Sequence, residues 1–346
     1  MPADRPSDLR TRTGALIGAT RRRAARLTGG PGRRAQTGMP VAPAPDRLAL
    51  DSWLSAFWGT ELDELDTRCA ASETVPWDAF GALADDVWAA LLTQDYDAYP
   101  HIRAVLPDVP DAALQATWNG ASGAALAAQS VIFYARLRDL YARHGARPLA
   151  DSRVLDFGCG WGRLTRFFAR DVAVGNLCGC DPVSAILDVC RACRVPAELA
   201  LSEFVPRRLP FPGSFDLIYA FSVFTHLSEA AHLACLRALH DALTPSGLLV
   251  VTVRPPEYLR LSELLGPALR SLGPDPASRL SEARYLFAPH DAQPLGAEAV
   301  DGEVTYGETV ITAAYIHRRW TEWFEPAGFE LLLGDPYQVV VALRRR

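Results

Sequence analysis

The spacing of apolar residues along the chain changes near residue 150. Before that point, apolar side chains recur at the spacing of an amphipathic helix, as at Leu126, Phe133, Leu137 and Leu140. From residue 153 onward, short apolar runs alternate with helical stretches, which is typical of a parallel sheet built from β-α-β units. The pattern therefore predicts an α/β protein whose sheet follows a helical segment.

The second half of the chain predicts seven strands and four helices. The strands are expected near 153–157, 176–181, 197–201, 215–220, 247–253, 329–333 and 337–344, and the helices near 161–170, 183–193, 228–242 and 315–326. Gly334-Asp335-Pro336 is a turn signal between the last two strands, so we expect these strands to pair antiparallel.

The chain divides into three predicted parts. Residues 1–45 read as a disordered Arg-rich arm, 46–150 as a helical cap segment, and 151–346 as the domain that carries the sheet. Within that domain, 255–313 is longer than a connection between two strands needs, and it leaves the carboxyl end of a strand, where ligands bind in open α/β sheets. We therefore expect a lid insertion, with an amphipathic helix at 255–272 followed by loop and one short hairpin.

Glycines alternate with other residues directly after the first predicted strand. Asp156 ends the apolar run, and Gly158, Gly160 and Gly162 follow it. Glycine allows positive φ and a close approach of the backbone to a ligand, and the start of a following helix offers unpaired N–H groups to an anion. The segment therefore predicts a nucleotide-binding turn.

The spacing of these glycines separates two kinds of nucleotide site. A dinucleotide fingerprint would need glycine where this chain has Arg163. The D-x-G-x-G-x-G spacing instead resembles motif I of the class I S-adenosylmethionine (SAM) methyltransferases. Later motifs of that family are similar, in the same order, to Gly179-Cys180-Asp181 and to the segments 209–219, 222–227 and 243–251.

The resemblance implies a Rossmann-like, seven-stranded, mostly parallel sheet with an antiparallel C-terminal hairpin, and SAM as the cofactor. It implies that Asp181 accepts hydrogen bonds from the ribose hydroxyls. Asp156 would face the cofactor's amino group or organise the glycine turn, with a purely structural cap as the alternative. The residues expected at the cofactor are Asp156, Gly158, Cys159, Gly160, Gly162, Asp181, Pro182, Phe221 and Ser222.

The loop after the fourth strand is where the resemblance directs the transferred methyl group. If the acceptor is a hydroxyl, it must lose a proton, and His226 is the candidate base in this loop. The alternative is that His226 is a hydrogen-bonded residue at the start of the next helix. The candidates for substrate contact are Arg254, Tyr306 and Trp118, whereas His290 and His317 are expected to be ordinary surface or core residues.

The seven cysteines raise the question of a metal site. Cys178, Cys180, Cys190 and Cys193 are close enough in sequence to suggest zinc. The first two fall on a predicted strand and the other two on the helix packed over it, so buried core thiols are favoured and no metal is expected.

Length and charge narrow the class of protein. The chain has 346 residues, 49% of them apolar, and no apolar run near the ~20 residues that span a bilayer, so we expect a cytoplasmic protein with a full core. Residues 1–47 carry ten arginines against three aspartates, and the remainder is acidic. An acidic body argues against a nucleic-acid substrate. The basic arm could touch an anionic surface, although its composition favours disorder.

The sequence therefore predicts a methyltransferase that acts on an oxygen or nitrogen atom of a small molecule, such as a sugar, a glycolipid head group or a secondary metabolite. Three alternatives stay open: a SAM-binding module without catalysis, an interaction protein that uses the basic arm, and a NAD-dependent oxidoreductase, which Arg163 disfavours. The oligomeric state does not follow from the sequence.

Overall fold

The computed structural model describes residues 47–271, 280, 282, 284–290 and 304–346. The predicted Arg-rich arm at 1–45 lies outside the described residues, as does part of the predicted insertion. Within the described ranges, no helix is both long and apolar enough to cross a membrane.

Within the described residues, five helices precede the sheet, in agreement with the helical pattern of the sequence. They are α1 (Arg47–Ala71), α2 (Asp85–Thr93), α3 (Pro100–Val105), α4 (Ala112–Asn119) and α5 (Gly123–His144), with 3₁₀ helices at Trp77–Ala82 and Leu149–Asp151. Their ends follow local rules: the Asp111 carboxylate accepts from the Leu114 N–H at the start of α4, and Gly120, at φ 73°, ends it. The domain boundaries themselves remain a prediction.

The seven predicted strands form one sheet. They are β1 (Val154–Phe157), β2 (Leu177–Asp181), β3 (Glu198–Leu201), β4 (Phe215–Ala220), β5 (Leu243–Val253), β8 (Phe324–Leu331) and β9 (Val339–Arg345), in the spatial order β3-β2-β1-β4-β5-β9-β8. The first five strands run parallel, and β9 pairs antiparallel with both β5 and β8. The predicted α/β class and the antiparallel C-terminal hairpin are confirmed.

Helices cover both faces of this sheet. The remaining ones are α6 (Ser184–Ala192), α7 (Glu229–Ala242), α8 (Gly266–Ser271) and α9 (Ala313–Arg319). Alternate side chains of β4 point to opposite faces, so Leu217 and Tyr219 join a core with α2 and α5, whereas Ile218 joins a core with α7 and α9. The N-terminal helices are therefore a structural layer of the fold as well as a neighbour of the site.

The helix predicted at 161–170 is wrong. Turns follow the glycines, and only Thr165–Arg170 is helical, as a 3₁₀ helix. Gly162 has φ 76°, outside the range of a right-handed helix. The buried Arg166 side chain donates from Nε to the Gly162 carbonyl at 3.0 Å, which holds the tighter turn. Because α2 and α5 already cover this face of the sheet, a short element is sufficient here.

The described part of the insertion also differs from the prediction. In place of one amphipathic helix at 255–272, a 3₁₀ helix at Pro256–Arg260 is followed by α8. Two Pro residues open this segment and Gly266-Pro267 begins α8, which breaks a continuous helix. The predicted hairpin strands are present: β6 (Tyr285–Pro289) and β7 (Gly307–Ile311) pair antiparallel in a separate two-stranded sheet.

The last helix was predicted at 315–326, and its predicted end is too late. Helix α9 stops at Arg319, a 3₁₀ helix covers Trp320–Glu322, and β8 begins at Phe324 rather than near 329. Phe324 is fully buried and pairs with Arg345 of β9. Pairing with β9 therefore extends the strand into residues that the sequence pattern assigned to the helix.

Candidate active site

The glycine turn lies at the carboxyl end of β1, and its three glycines have different surroundings. All three have positive φ, at 79° for Gly158, 56° for Gly160 and 76° for Gly162. A Cβ on Gly158 would lie 2.4 Å from Cγ2 of Val223, and one on Gly162 would lie 2.7 Å from Sγ of Cys190. A Cβ on Gly160 would meet no atom within 4 Å. The outer glycines therefore allow close packing, whereas Gly160 borders open space.

Asp181, at the end of β2, is tied to this turn. Its Oδ2 accepts from the Gly160 N–H at 3.0 Å, and its Oδ1 accepts from the Val183 N–H at 2.9 Å. A carboxylate offers about four acceptor positions, so each oxygen can accept one more hydrogen bond. Burial raises the pKa of Asp181 to about 6. The neighbouring Pro182 is half-buried. The carboxylate is thus placed to accept from a pair of hydroxyls beside Gly160.

Asp156 lies inside the sheet. Its Cα pairs with Gly179 on one side and Tyr219 on the other, and only 2% of the residue is exposed. The Thr165 hydroxyl donates to Oδ2 of Asp156 at 2.6 Å, and burial raises the pKa of the carboxyl to about 6. Of the two roles that the resemblance implies for Asp156, this contact favours the one that organises the glycine turn.

Cys159 and the other thiols belong to the core. All seven cysteines are free and buried, and Sγ of Cys159 lies 3.7 Å from the Gly160 carbonyl oxygen. Cys159 can therefore face a ligand only through its backbone. Among the residues that the structure describes, no group of three or more His, Cys, Asp or Glu side chains is arranged to hold a metal ion.

The loop after β4 holds a strained residue. Ser222 has φ 61°, which is uncommon for a residue with a Cβ and typical of functional loops. Its N–H donates to Oγ1 of Thr252 at 2.8 Å, and its Oγ accepts from Nε2 of Gln338 at 3.1 Å. The Phe221 ring lies under the Arg163 guanidinium, 4.8 Å from its centre. This loop therefore brings β5 and β9 against the glycine turn.

The orientation of the Gln338 amide follows from its neighbours. The Thr225 hydroxyl donates to the Ser222 carbonyl at 2.9 Å, so Oγ1 of Thr225 accepts from the Ser222 hydroxyl at 3.2 Å. The Ser222 oxygen must then accept from the Gln338 amide nitrogen. This leaves Oε1 of Gln338 as a buried acceptor with no partner among the described residues.

His226 is half-buried and held in one tautomer. Its Nδ1 lies 2.8 Å from the Gly307 carbonyl oxygen, so Nδ1 carries the proton and Nε2 is left as an acceptor. Burial, followed by the nearby charge of Arg254, lowers the pKa of His226 to about 3. The start of α7 is capped by Ser228 instead. The alternative role of His226 as a helix-start residue is therefore wrong.

Two aromatic rings accompany His226. The Tyr306 ring stacks on it with centroids 5.2 Å apart and 19° between the planes, and the His290 ring lies 5.4 Å from Tyr306. Burial raises the pKa of Tyr306, to which Asp181 also contributes electrostatically. His226 follows β4, at the same carboxyl edge of the sheet as the glycine turn and Asp181. The rings of His226, Tyr306 and His290, here called the His226 cluster, therefore adjoin this edge.

Arg254 is enclosed as well. Its Nη1 donates to the Thr225 carbonyl at 3.3 Å and lies 3.9 Å from the Glu308 carboxylate, and its guanidinium lies 4.1 Å from the centre of the Tyr258 ring. Its side chain is only 11% exposed. Arg254 is thus a positioned cation beside the His226 cluster.

Two predicted residues lie away from this group. Trp118 is 42% exposed, and the contact between α4 and the glycine turn is made by its neighbour Asn119, whose Oδ1 accepts from Nε1 of Trp161 at 2.8 Å. His317 is exposed and contacts the Phe329 ring. Neither side chain meets the residues described above. No local sequence pattern marks Asn119 or Gln338 as a site residue.

The chain is similar to known proteins in this region. Residues 154–247 match the family model described as a methyltransferase domain. Trans-aconitate 2-methyltransferase of Methylobacterium radiotolerans is 29% identical over 220 residues, which cover 59% of this chain and 80% of that protein. The ubiquinone biosynthesis O-methyltransferase of Ruegeria pomeroyi is 35% identical over 30% of this chain, and the chain spans only 41% of that relative's length.

Solved structures are similar at lower identity. The glycopeptide N-methyltransferase MtfA in complex with S-adenosylhomocysteine is 14% identical, with a TM-score of 0.39 over 62% of this chain and 90% of that chain. A SAM-dependent methyltransferase from Mesorhizobium loti is 18% identical, with a TM-score of 0.40 over 62% of this chain and 98% of that chain.

Proposed function

We propose that the chain is a SAM-dependent methyltransferase that methylates an oxygen or nitrogen atom of a small molecule, as the match of residues 154–247 to a methyltransferase domain supports. The observation that carries this proposal is the position of the His226 cluster. It lies at the carboxyl edge of the sheet, as the glycine turn and Asp181 do, and presents the acceptor nitrogen of His226 in the loop after β4.

The chain's own residues fit the cofactor. The open space beside Gly160 admits a ligand against the backbone, and the spare acceptor positions of Asp181 match two neighbouring hydroxyls. When bound, SAM supplies a methyl group activated by the sulfonium charge. Phe221 and Ser222 then border the cofactor from the end of β4, and Asp156 supports the turn from within the sheet.

His226 receives the acceptor group. Its Nε2 accepts a hydrogen bond from an O–H or N–H and so orients the lone pair that attacks. A histidine with a pKa of about 3 stays neutral at physiological pH. It is a weak base, but a hydroxyl acceptor becomes strongly acidic as it gains a methyl group, so a weak base is sufficient to take its proton at that stage. A nitrogen acceptor would only be oriented by His226, because a methylated amine holds its proton too tightly for this base.

Arg254 and Tyr306 would form the substrate wall. Arg254 carries a positive charge within a polar group that includes Glu308 and Tyr258. An oxygen acceptor agrees with the name of one relative, a ubiquinone biosynthesis O-methyltransferase, and a small anionic substrate agrees with the name of another, a trans-aconitate 2-methyltransferase. A substrate that carries an anionic group, such as a carboxylate, suits this wall best.

Two measurements test the proposal. Calorimetry with S-adenosylhomocysteine should show binding, and NAD should not compete. Release of S-adenosylhomocysteine from SAM should then depend on an added acceptor from a panel of hydroxy acids, polycarboxylates, phenols, sugars and amines. Binding without transfer to any acceptor would favour a non-catalytic SAM-binding module, and absence of binding would refute the cofactor site.

A further inference from the structure

Arg163, directly after the glycine turn, is a buried cation that forms no ion pair with any residue in the described ranges. The residue is 7% exposed. Its Nη1 donates to Oε1 of Gln129 at 3.0 Å and to Oγ of Ser130 at 2.9 Å, both on α5. Among the residues that the structure describes, no carboxylate lies within ion-pair distance of it. Burial lowers its pKa to about 10, so it remains charged at neutral pH.

The rest of the guanidinium is available for binding. A guanidinium has five N–H donors, of which Nη1 carries two. The hydrogen bonds to Gln129 and Ser130 use both of them. The donors on Nε and Nη2 have no hydrogen-bond partner in the described part of the chain, and neither nitrogen belongs to the fully buried, unpartnered atoms of the protein. This side of the fork therefore faces space that a ligand can reach. Its two nitrogens match the two oxygens of a carboxylate.

The order of the strands sets the approximate separation between Arg163 and Asp181. Its guanidinium lies over Phe221, which follows β4, whereas Asp181 ends β2, and β1 lies between those two strands. Two strand spacings amount to roughly 10 Å. The methionyl chain of SAM joins its ribose to its carboxylate through six bonds of about 1.5 Å each. An extended chain of that length spans most of this separation.

We propose that Arg163 binds the methionyl carboxylate of the cofactor through Nε and Nη2. The assignment rests on the cofactor site proposed above. Gln129 holds the guanidinium in place, and its Nε2 donates to Oδ2 of Asp335 at 2.7 Å. The helix α5 and the turn before β9 therefore meet at the end of the cofactor site that Arg163 defines.

The test compares two ligands in three proteins. S-adenosylhomocysteine carries the amino-acid carboxylate, and 5′-methylthioadenosine lacks it. Arg163→Met should weaken S-adenosylhomocysteine binding about 10- to 100-fold, since it removes charged hydrogen bonds. It should leave the affinity for 5′-methylthioadenosine within twofold of the unmutated protein. Arg163→Lys keeps the charge but loses the fork of donors. Its affinity for S-adenosylhomocysteine should therefore lie between those of the unmutated protein and of Arg163→Met. Calorimetry measures all six affinities.

The ligand pair also separates the competing explanations. If Arg163→Met weakens the binding of both ligands equally, the residue only supports the fold, and the inference is wrong. If Arg163→Met binds both ligands as tightly as the unmutated protein does, Arg163 binds no part of the cofactor. A raised KM of this variant for an anionic substrate would then assign Arg163 to the substrate. If Arg163→Met does not fold, the same ligand ratio measured in Arg163→Lys decides. If the unmutated protein binds neither ligand, the cofactor site itself fails.

Discussion

The backbone N–H of Gly160 donates to Oδ2 of Asp181 over 3.0 Å, which joins the glycine turn to the end of β2. Two residues that lie 21 positions apart thus form one edge of the site. The positive φ of Gly160 turns its N–H toward the carboxylate, and the carboxylate keeps acceptor capacity for a ligand.

Replacement of Asp181 should weaken cofactor binding. Asp181→Asn preserves the size of the side chain but removes its charge, and hydrogen bonds to charged groups contribute roughly 1.5–3 kcal/mol. We expect S-adenosylhomocysteine to bind at least about tenfold more weakly, as measured by calorimetry. Asp188→Asn, on the exposed face of α6, is the matched control. Unchanged affinity in Asp181→Asn would contradict the role of Asp181.

The affinity should also depend on pH through Asp181. Burial raises its pKa to about 6, from an ordinary value of 3.8, so the free protein is partly protonated there near pH 6. Hydroxyl donors favour the ionised carboxylate. S-adenosylhomocysteine should therefore bind more tightly as pH rises through about 6, and Asp181→Asn should flatten that profile.

The contribution of Asp181 to the stability of the fold changes with pH in the opposite direction. Because the pKa of this acid is raised in the folded protein, it stabilises the fold most below pH 4, and that contribution is lost by about pH 6.

Two glycine substitutions should separate binding from folding. Alanine at Gly160 or Gly162 meets an unfavourable positive φ, at a cost of roughly 1–2 kcal/mol. Gly162→Ala adds a Cβ 2.7 Å from Cys190 Sγ, whereas Gly160→Ala meets nothing. Gly162→Ala should therefore lower the Tm more, and Gly160→Ala should weaken S-adenosylhomocysteine binding in a folded protein. Thermal unfolding and calorimetry on both variants measure these effects. A lower Tm for Gly160→Ala than for Gly162→Ala would contradict the prediction.

His226→Ala should affect turnover and not cofactor binding. General-base catalysis contributes roughly 10²–10⁴-fold, so we expect a decrease in kcat of at least tenfold, with S-adenosylhomocysteine affinity within twofold. Because the pKa of His226 is about 3, protonation of this ring should not reduce the rate of the unmutated enzyme between about pH 5.5 and 7.5. Full activity in His226→Ala would exclude it as the base, and His317→Ala serves as the exposed control.

His232→Phe should stabilise the protein. Both ring nitrogens of His232 are buried without a hydrogen-bond partner among the described residues, and the ring lies between those of Phe224 and Trp320. An unsatisfied buried polar group costs about 1–3 kcal/mol, so His232→Phe should raise the free energy of unfolding by a similar amount.

The gain in the free energy of unfolding from His232→Phe should grow as pH falls. Burial lowers the pKa of His232 to about 3, so the unfolded chain binds a proton below about pH 6.5 that the folded protein does not. The unmutated protein therefore loses stability from about pH 6.5 toward 3, and His232→Phe should lose less. Denaturant unfolding at several pH values measures this, with His317→Phe as the exposed control. Equal pH slopes for the two variants would count against the argument.

Local patterns determined much of the site. The glycine turn, Asp181 and the loop at 221–222 were placed correctly at strand ends because each depends on a short apolar run followed by its own turn residues. The antiparallel hairpin formed by β8 and β9 followed in the same way from the turn at 334–336. The motifs also occur in the order that predicts a methyltransferase, and residues 154–247 match a methyltransferase domain model.

Tertiary structure decided the electrostatics and the partners. The tautomer of His226 depends on Gly307, 81 residues away, and the orientation of Arg163 depends on Gln129, 34 residues away. The short 3₁₀ helix after the glycines and the early start of β8 likewise depend on packing against other elements. Hydrogen bonds and burial between distant segments set these features, and neither is encoded in the spacing of neighbouring residues.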